Sequence, residues 1–161
     1  MNRINHPFPP LYCEHSRILI LGSFPSVKSR EQSFFYGHPQ NRFWMVIAAL
    51  FESPVPKTIE EKKALVLAND LALWDSIASC EITGSSDASI KNAKANDLSI
   101  ILDNCSIDKI YCNGRKSHEL YKRYIGPAIG REAVCLPSTS PANAQWTLDR
   151  LIGEWSVIKL K

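Results

Sequence analysis

The chain has 161 residues, enough for one domain with a core that needs no disulfide or metal staple. Hydrophobic residues make up 45% and charged residues 22%, ordinary for a folded domain, and no run approaches the roughly 18 apolar residues of a membrane span. A net charge of +3 neither demands nor opposes a polyanionic partner, and five scattered cysteines and four unclustered histidines argue against a zinc or iron–sulfur site. The cysteine usage fits a reducing, cytoplasmic setting, and the opening MNRINHPFPP lacks the apolar stretch of an export signal.

In chain order, residues 1–16 carry Pro7, Pro9 and Pro10 and read as an irregular surface arm. A wholly apolar run at 17–21 reads as a strand buried on both faces. Gly22 breaks it and opens a loop to residue 41 that is rich in Ser, Pro, Gly and aromatics. Phe43, Trp44, Ile47, Ala48, Leu50 and Phe51 recur at helical spacing, which predicts a helix over 42–52. Ser53-Pro-Val-Pro56 stops it. Thr58 with Glu61 forms a capping box that opens a helix to about Ala68.

Leu71 to Trp74 is a second buried strand, followed by a polar loop over 75–90. Asn96 is placed to cap a helix burying Leu98, Ile101, Leu102 and Cys105. Lys109 to Cys112 is a third strand, closed by Asn113-Gly114. Leu120, Tyr121, Tyr124 and Ile125 mark another helix, and Ala133 to Leu136 a fourth strand. After Pro137-Ser-Thr-Ser-Pro-Ala-Asn143, a helix buries Leu148, Leu151, Ile152 and Trp155, and an edge strand is expected over 156–160. Short apolar strands alternating with helices predict one three-layer α/β/α domain over 1–161, around a central, mainly parallel four-stranded sheet. The peculiar loops all follow strands, so they gather on one sheet edge, where such folds bind ligands.

Familiar catalytic motifs are missing from those loops. Gly22-Ser-Phe-Pro-Ser26 lacks the second glycine of a hydrolase elbow and has Phe24 at the nucleophile position. No glycine-rich dinucleotide or phosphate loop occurs. Aromatics with a few polar groups suit a flat, polar-edged ligand such as a nucleobase. Ser140 as N-cap with Pro141 at the first helical position would make a phosphate-binding helix terminus; a plain capped turn is the alternative.

Gly22-Ser-Phe-Pro25, Tyr36-Gly-His-Pro-Gln-Asn-Arg-Phe-Trp44 and Pro137-Ser-Thr-Ser-Pro-Ala-Asn143 resemble the uracil-DNA glycosylase superfamily. The H-P-x-N-R-F-W stretch is similar to that of mismatch-specific uracil/thymine-DNA glycosylases. The full set, with Trp74-Asp75 and Gly84-Ser-Ser-Asp87, looks closest to the hypoxanthine-DNA (deoxyinosine) glycosylase branch, over about residues 7–155. The resemblance implies a base-excision repair enzyme that cuts the N-glycosidic bond of a deaminated base, hypoxanthine first with uracil or xanthine as alternatives, in double-stranded or single-stranded DNA. No cofactor is expected, and the pocket loops offer no obvious lysine nucleophile for a lyase step, so a monofunctional enzyme is expected.

Residue roles follow from the same resemblance. Tyr36 would stack on the flipped base, with core packing as its alternative, where Phe34 and Phe35 compete. Asn41 would hold the attacking water, with a helix-capping role not excluding it. Relatives place Asp or Asn where Phe24 stands, which puts plain uracil excision in doubt. Backbone N–H groups of Ser23 and Phe24 would meet a base carbonyl. His38 would donate to base or phosphate, or bond the loop backbone. Asp75 would accept from a ring N–H, or cap the following turn. Ser138, Thr139, Ser140, Pro141, Ala142 and Asn143 would pinch phosphates and wedge the gap. Lys28, Arg30, Arg42, Arg115 and Lys116 are possible phosphate contacts or solvated charges; Ser26 and Ser29 are weaker candidates. Competing readings are a mismatch uracil/thymine glycosylase, a silent damage-binding module and a hydrolase of free nucleosides. Monomer is the expected state.

Overall fold

The computed structural model describes residues 3–159. Its strands are β1 (Arg3–Asn5), β2 (Ile18–Gly22), β3 (Leu71–Asp75), β4 (Ile77–Glu81), β5 (Lys91–Ala95), β6 (Lys109–Asn113) and β7 (Val134–Leu136). Its helices are α1 (Val27–Gln32), α2 (Phe43–Leu50), α3 (Ile59–Ala68), α4 (Ser99–Leu102), α5 (Arg115–Leu120), α6 (Gly126–Ile129) and α7 (Leu148–Trp155).

The main sheet is the predicted parallel one, in the order β3-β2-β6-β7, flanked by helices. Central β2 is buried at all five positions, which is why its sequence is uninterrupted Ile-Leu-Ile-Leu-Gly. The register sets Gly22 beside Asp75 and Leu21 beside Cys112, so the ends of β2, β3 and β6 lie together. Phe43, Trp155, Leu19 and Leu73 belong to one core around this sheet, and α2 packs on α7. The Thr58–Glu61 capping box forms at α3. All five cysteines are free thiols, and burial pushes Cys112 up to about 12. Among the described residues, no helix is long and apolar enough to cross a membrane.

Several expectations change. The proline-rich arm contains β1, which pairs antiparallel with β4, and β5 completes a second sheet in the order β1-β4-β5. Part of the expected 75–90 loop is therefore strand. Within it Ser79 is buried, and Ile77 and Cys80 join Phe24, Ile82, Ile90 and Leu120 in a small separate core. The 22–41 loop contains α1, capped by Ser26, whose hydroxyl accepts from Ser29 N. Asn96 caps no helix; its amide donates to the Asp75 carbonyl, and Asp97 accepts from Ser99 N at the start of the short α4. The segment after Leu120 is a π-helical turn (Tyr121–Ile125) leading into α6, with Tyr124 exposed. Ser156–Ile158 is a 3-10 turn rather than an edge strand, and Leu160 lies outside the described residues.

Candidate active site

A cavity of about 300 Å³ opens where β2, β3 and β6 end, at the low end of small-ligand pockets. Gly22 to Ser26, Ser29, Tyr36, His38, Asp75, Asp87, Asn113 and the Ser140–Ala142 turn line it. The loops predicted to gather on one edge do so.

Gly22 is the floor. A Cβ there would run into Asp75 Oδ1 and come close to the Tyr36 hydroxyl, so only glycine lets those two groups share the space. Tyr36 is held in the left-handed region at φ 52°, an uncommon conformation for a bulky residue. Its ring stacks on Phe43 with centroids 4.1 Å apart. Its buried hydroxyl meets no partner in hydrogen-bonding geometry, although the Asn113 side chain is close enough to oppose the rise in its pKa. Desolvation, aided by the nearby Asp75 carboxylate, drives the phenol well above its usual range. It therefore remains a proton donor.

Asp75 is buried at the end of β3. Its Oδ2 is 2.7 Å from His6 Nε2, and its main-chain carbonyl accepts from Asn96 Nδ2 at 2.8 Å. Oδ1 has no hydrogen-bond partner among the described residues. The turn-capping alternative for Asp75 is not what the structure shows: its carboxylate is tied to His6.

Ser23 donates its hydroxyl to Asp87 Oδ1 at 2.6 Å, while the N–H groups of Ser23 and Phe24 have no hydrogen-bond partner among the described residues. Desolvation first, then the charge of Asp75, raises the Asp87 carboxyl; the Ser23 hydroxyl and Lys116 oppose the shift. The Phe24 ring belongs to the small core and lies under the Arg30 guanidinium. His38 Nδ1 accepts from Gln40 N at 3.1 Å, which leaves its Nε2–H as a donor. Both expected roles of His38 are thus compatible, one on each nitrogen.

Asn41 is not among the lining residues. Its Oδ1 accepts from Phe43 N at 2.9 Å and from Thr139 Oγ1 at 2.8 Å, so it bonds the first residue of α2, whose N-cap position is Arg42, and ties the aromatic loop to the Pro137–Asn143 segment. Thr139 is wholly buried, bonded also to both ends of the Asn113 amide, and is not exposed to meet a phosphate. The expected helix terminus at Ser140-Pro141 is absent. The segment is a turn in which Ser140 Oγ accepts from Ala142 N, and α7 begins only after Thr147 caps it.

Ser138 and Asn143 frame that turn internally, through Ser140 N to Ser138 Oγ and Asn143 Nδ2 to Ser138 O. Ser140, Pro141 and Ala142 reach the pocket. The Arg42 guanidinium is committed to the carbonyls of Ser140, Asn143 and Trp146, so it holds the loop rather than standing free for a phosphate. Lys28 pairs with Glu31 at 3.5 Å and does not line the pocket; Ser26 does. No group of three metal-ligating side chains forms among the described residues.

Three contributors escaped the sequence reading as site residues. Asn113 ends a buried strand just as Gly22 and Asp75 do, a usable signal. Asp87 was legible only inside its motif. His6 is a lone histidine in a proline-rich arm and carried no signal.

A pocket beside an aromatic stack, at the carboxyl edge of a parallel sheet, is where α/β domains of this kind hold their ligands. The model of the Uracil DNA glycosylase superfamily matches residues 9–157. The chain is 33% identical to a protein of Methanosarcina acetivorans named hypoxanthine DNA glycosylase, over 96% of this chain and 98% of that one. It is 32% identical to one of the same name from Methanosarcina barkeri, over 91% and 92%. A solution structure from Methanosarcina acetivorans, described as a candidate uracil DNA glycosylase, superposes with a TM-score of 0.77 at 32% identity, covering 94% of this chain and 93% of that one. The chain belongs to the uracil DNA glycosylase superfamily.

Proposed function

We propose that the protein hydrolyses the N-glycosidic bond of hypoxanthine in DNA, leaving an abasic site. The observation that carries this reading is the pairing, over Gly22, of a free carboxylate oxygen on Asp75 with an unpartnered hydroxyl on Tyr36. Hypoxanthine presents N1–H beside a C6 carbonyl, an acceptor's and a donor's complement. The names of the two Methanosarcina relatives support the same substrate.

The target base leaves the duplex to reach such a pocket. There it rests against the Tyr36–Phe43 stack, a contact of roughly 1–3 kcal/mol. As the bond to C1′ lengthens, negative charge moves onto the base. Donors from residues that line the pocket, the Tyr36 hydroxyl, the Ser23 and Phe24 N–H groups and His38, would lower that cost. Water completes the oxocarbenium-like step; because Asn41 Oδ1 is taken by Phe43 N and Thr139 Oγ1, Asn41 orients that water, in this reading, through its Nδ2 group. No lysine lines the pocket, which favours water over a Schiff-base route. Ser140, Pro141 and Ala142 form the wedge that fills the vacated stack. We further propose that the protein works as a cytoplasmic monomer on duplex DNA, with Ser26, Ser138 and Asn143 near the backbone.

End-labelled duplexes carrying one hypoxanthine, uracil, thymine mismatch or xanthine test this, with hot alkali revealing abasic sites. Cleavage is expected to be strongest at hypoxanthine and to fall roughly 100-fold in Asn41→Ala, a larger loss than that of lesion binding, which weakens because Thr139 loses the acceptor that ties its loop to α2. Strongest cleavage at uracil would replace the substrate while keeping the chemistry, since uracil offers the same N–H beside a carbonyl. Lesion binding without any cleavage would make this a silent relative, with Phe24 as the reason.

A further inference from the structure

We propose that His6 is a positioning residue that fixes Asp75 as a one-sided acceptor, so that the pocket accepts bases with a ring N–H at that edge and rejects those with a bare ring nitrogen. The inference rests on the reading of the cavity as a base-excision pocket and adds the device that separates hypoxanthine from adenine.

The N-terminal segment carries His6 to Asp75. β1 pairs Arg3, Ile4 and Asn5 with Glu81, Cys80 and Ser79 of β4, and His6 N continues the ladder to Ala78 O at 2.7 Å. The ring is then clamped edge-on by Phe8, with centroids 4.5 Å apart, and by Phe24 at 6.0 Å. Nδ1 accepts from Phe8 N at 3.5 Å, so the proton belongs on Nε2, which donates to Asp75 Oδ2. Side-chain exposures of 4% and 6% place both partners out of water. The bond therefore lacks the solvent competition that makes surface pairs weak.

His6 does not line the cavity and Asp75 does. It acts through the carboxylate. With Oδ2 occupied and the main-chain carbonyl held by Asn96, rotation of the carboxylate is blocked and Oδ1 is the oxygen left for a ligand. A base that offers N–H satisfies it. Adenine, or unsubstituted purine, offers a lone pair instead, and two acceptors then face each other in a buried site. Sites built around a hydrogen-bonding partner discriminate strongly against analogues that lack it. Freed of His6, the carboxylate can swing and the discrimination relaxes.

The test compares wild type, His6→Ala and His6→Gln on duplexes bearing a single hypoxanthine or a single unsubstituted purine. The readout is the ratio of kcat/KM for the two bases. We expect His6→Ala to lower the ratio by about tenfold or more, and His6→Gln, whose amide N–H can reach Oδ2, to restore most of it. Equal losses on both bases, or an unchanged ratio, would reduce His6 to a packing residue and overturn the proposal. His6→Asn, too short to reach Oδ2, carries the same comparison if alanine disturbs folding. A wild-type protein that cuts neither base refutes the functional reading instead. Binding of free hypoxanthine against free purine then decides: a preference lost in His6→Ala upholds the positioning role, and no preference overturns it.

Discussion

At Gly22, backbone, carboxylate and phenol compete for the volume of one methyl group. Gly22→Ala is expected to displace Asp75 and Tyr36 together, lowering excision about 100-fold and stability by about 1–3 kcal/mol. Single-turnover kinetics and urea unfolding would show it; normal kinetics would mean that Asp75 moves aside freely. Asp87 makes a pH prediction. Its carboxyl is raised by desolvation, so the folded state holds that proton more tightly than the unfolded one. This contribution favours folding most at and below the ordinary carboxylate range. It is lost as pH rises through the window up to the raised native value. Asp87→Asn should flatten that decline in unfolding experiments carried upward from the ordinary carboxylate range; an unchanged pH slope would show that Asp87 contributes nothing to it.

At the scale of elements, the Pro137–Asn143 segment is shaped by partners far away in sequence. Arg42 grips three of the 140–146 carbonyls, and Thr139 is locked between Asn41 and Asn113. Arg42→Ala should loosen the wedge, weakening lesion binding about tenfold without removing a phosphate contact. Arg42→Lys should rescue little, because one ammonium does not span three acceptors as a guanidinium does. Fluorescence anisotropy with a lesion duplex measures the affinity, and faster amide exchange at 138–146 would locate the cause. Full rescue by lysine would mean that charge alone matters. The Thr58–Glu61 cap of α3 shows the opposite case, an element whose start is written in four neighbouring residues.

For the whole molecule, a charge of +3 makes affinity for DNA a matter of a few phosphate contacts. If about three are made, binding should drop roughly 40-fold between about 50 and about 200 mM salt. A flat response would assign the affinity to the pocket and not to the backbone. The described residues pack around one main core, with the small β1-β4-β5 sheet covering Phe24, and we propose that they unfold as a single unit.

The sequence by itself determined the parallel sheet, its strand positions and the edge where the site forms. Strands buried on both faces must be apolar throughout, and the loops that follow them must share one side. Its motifs also pointed to the family and to Tyr36 and Asp75. The tertiary structure alone decided that 3–5 and 77–95 build a second sheet, because half-exposed strands such as Lys-Asn-Ala-Lys-Ala show no apolar run. It decided that Ser140-Pro141 is a turn, since the arginine that holds it is about a hundred residues away. It also decided what His6 touches. A register between the two ends of a β ladder is set by pairing across the chain, and no local pattern in a proline-rich arm encodes the carboxylate waiting at the end of β3.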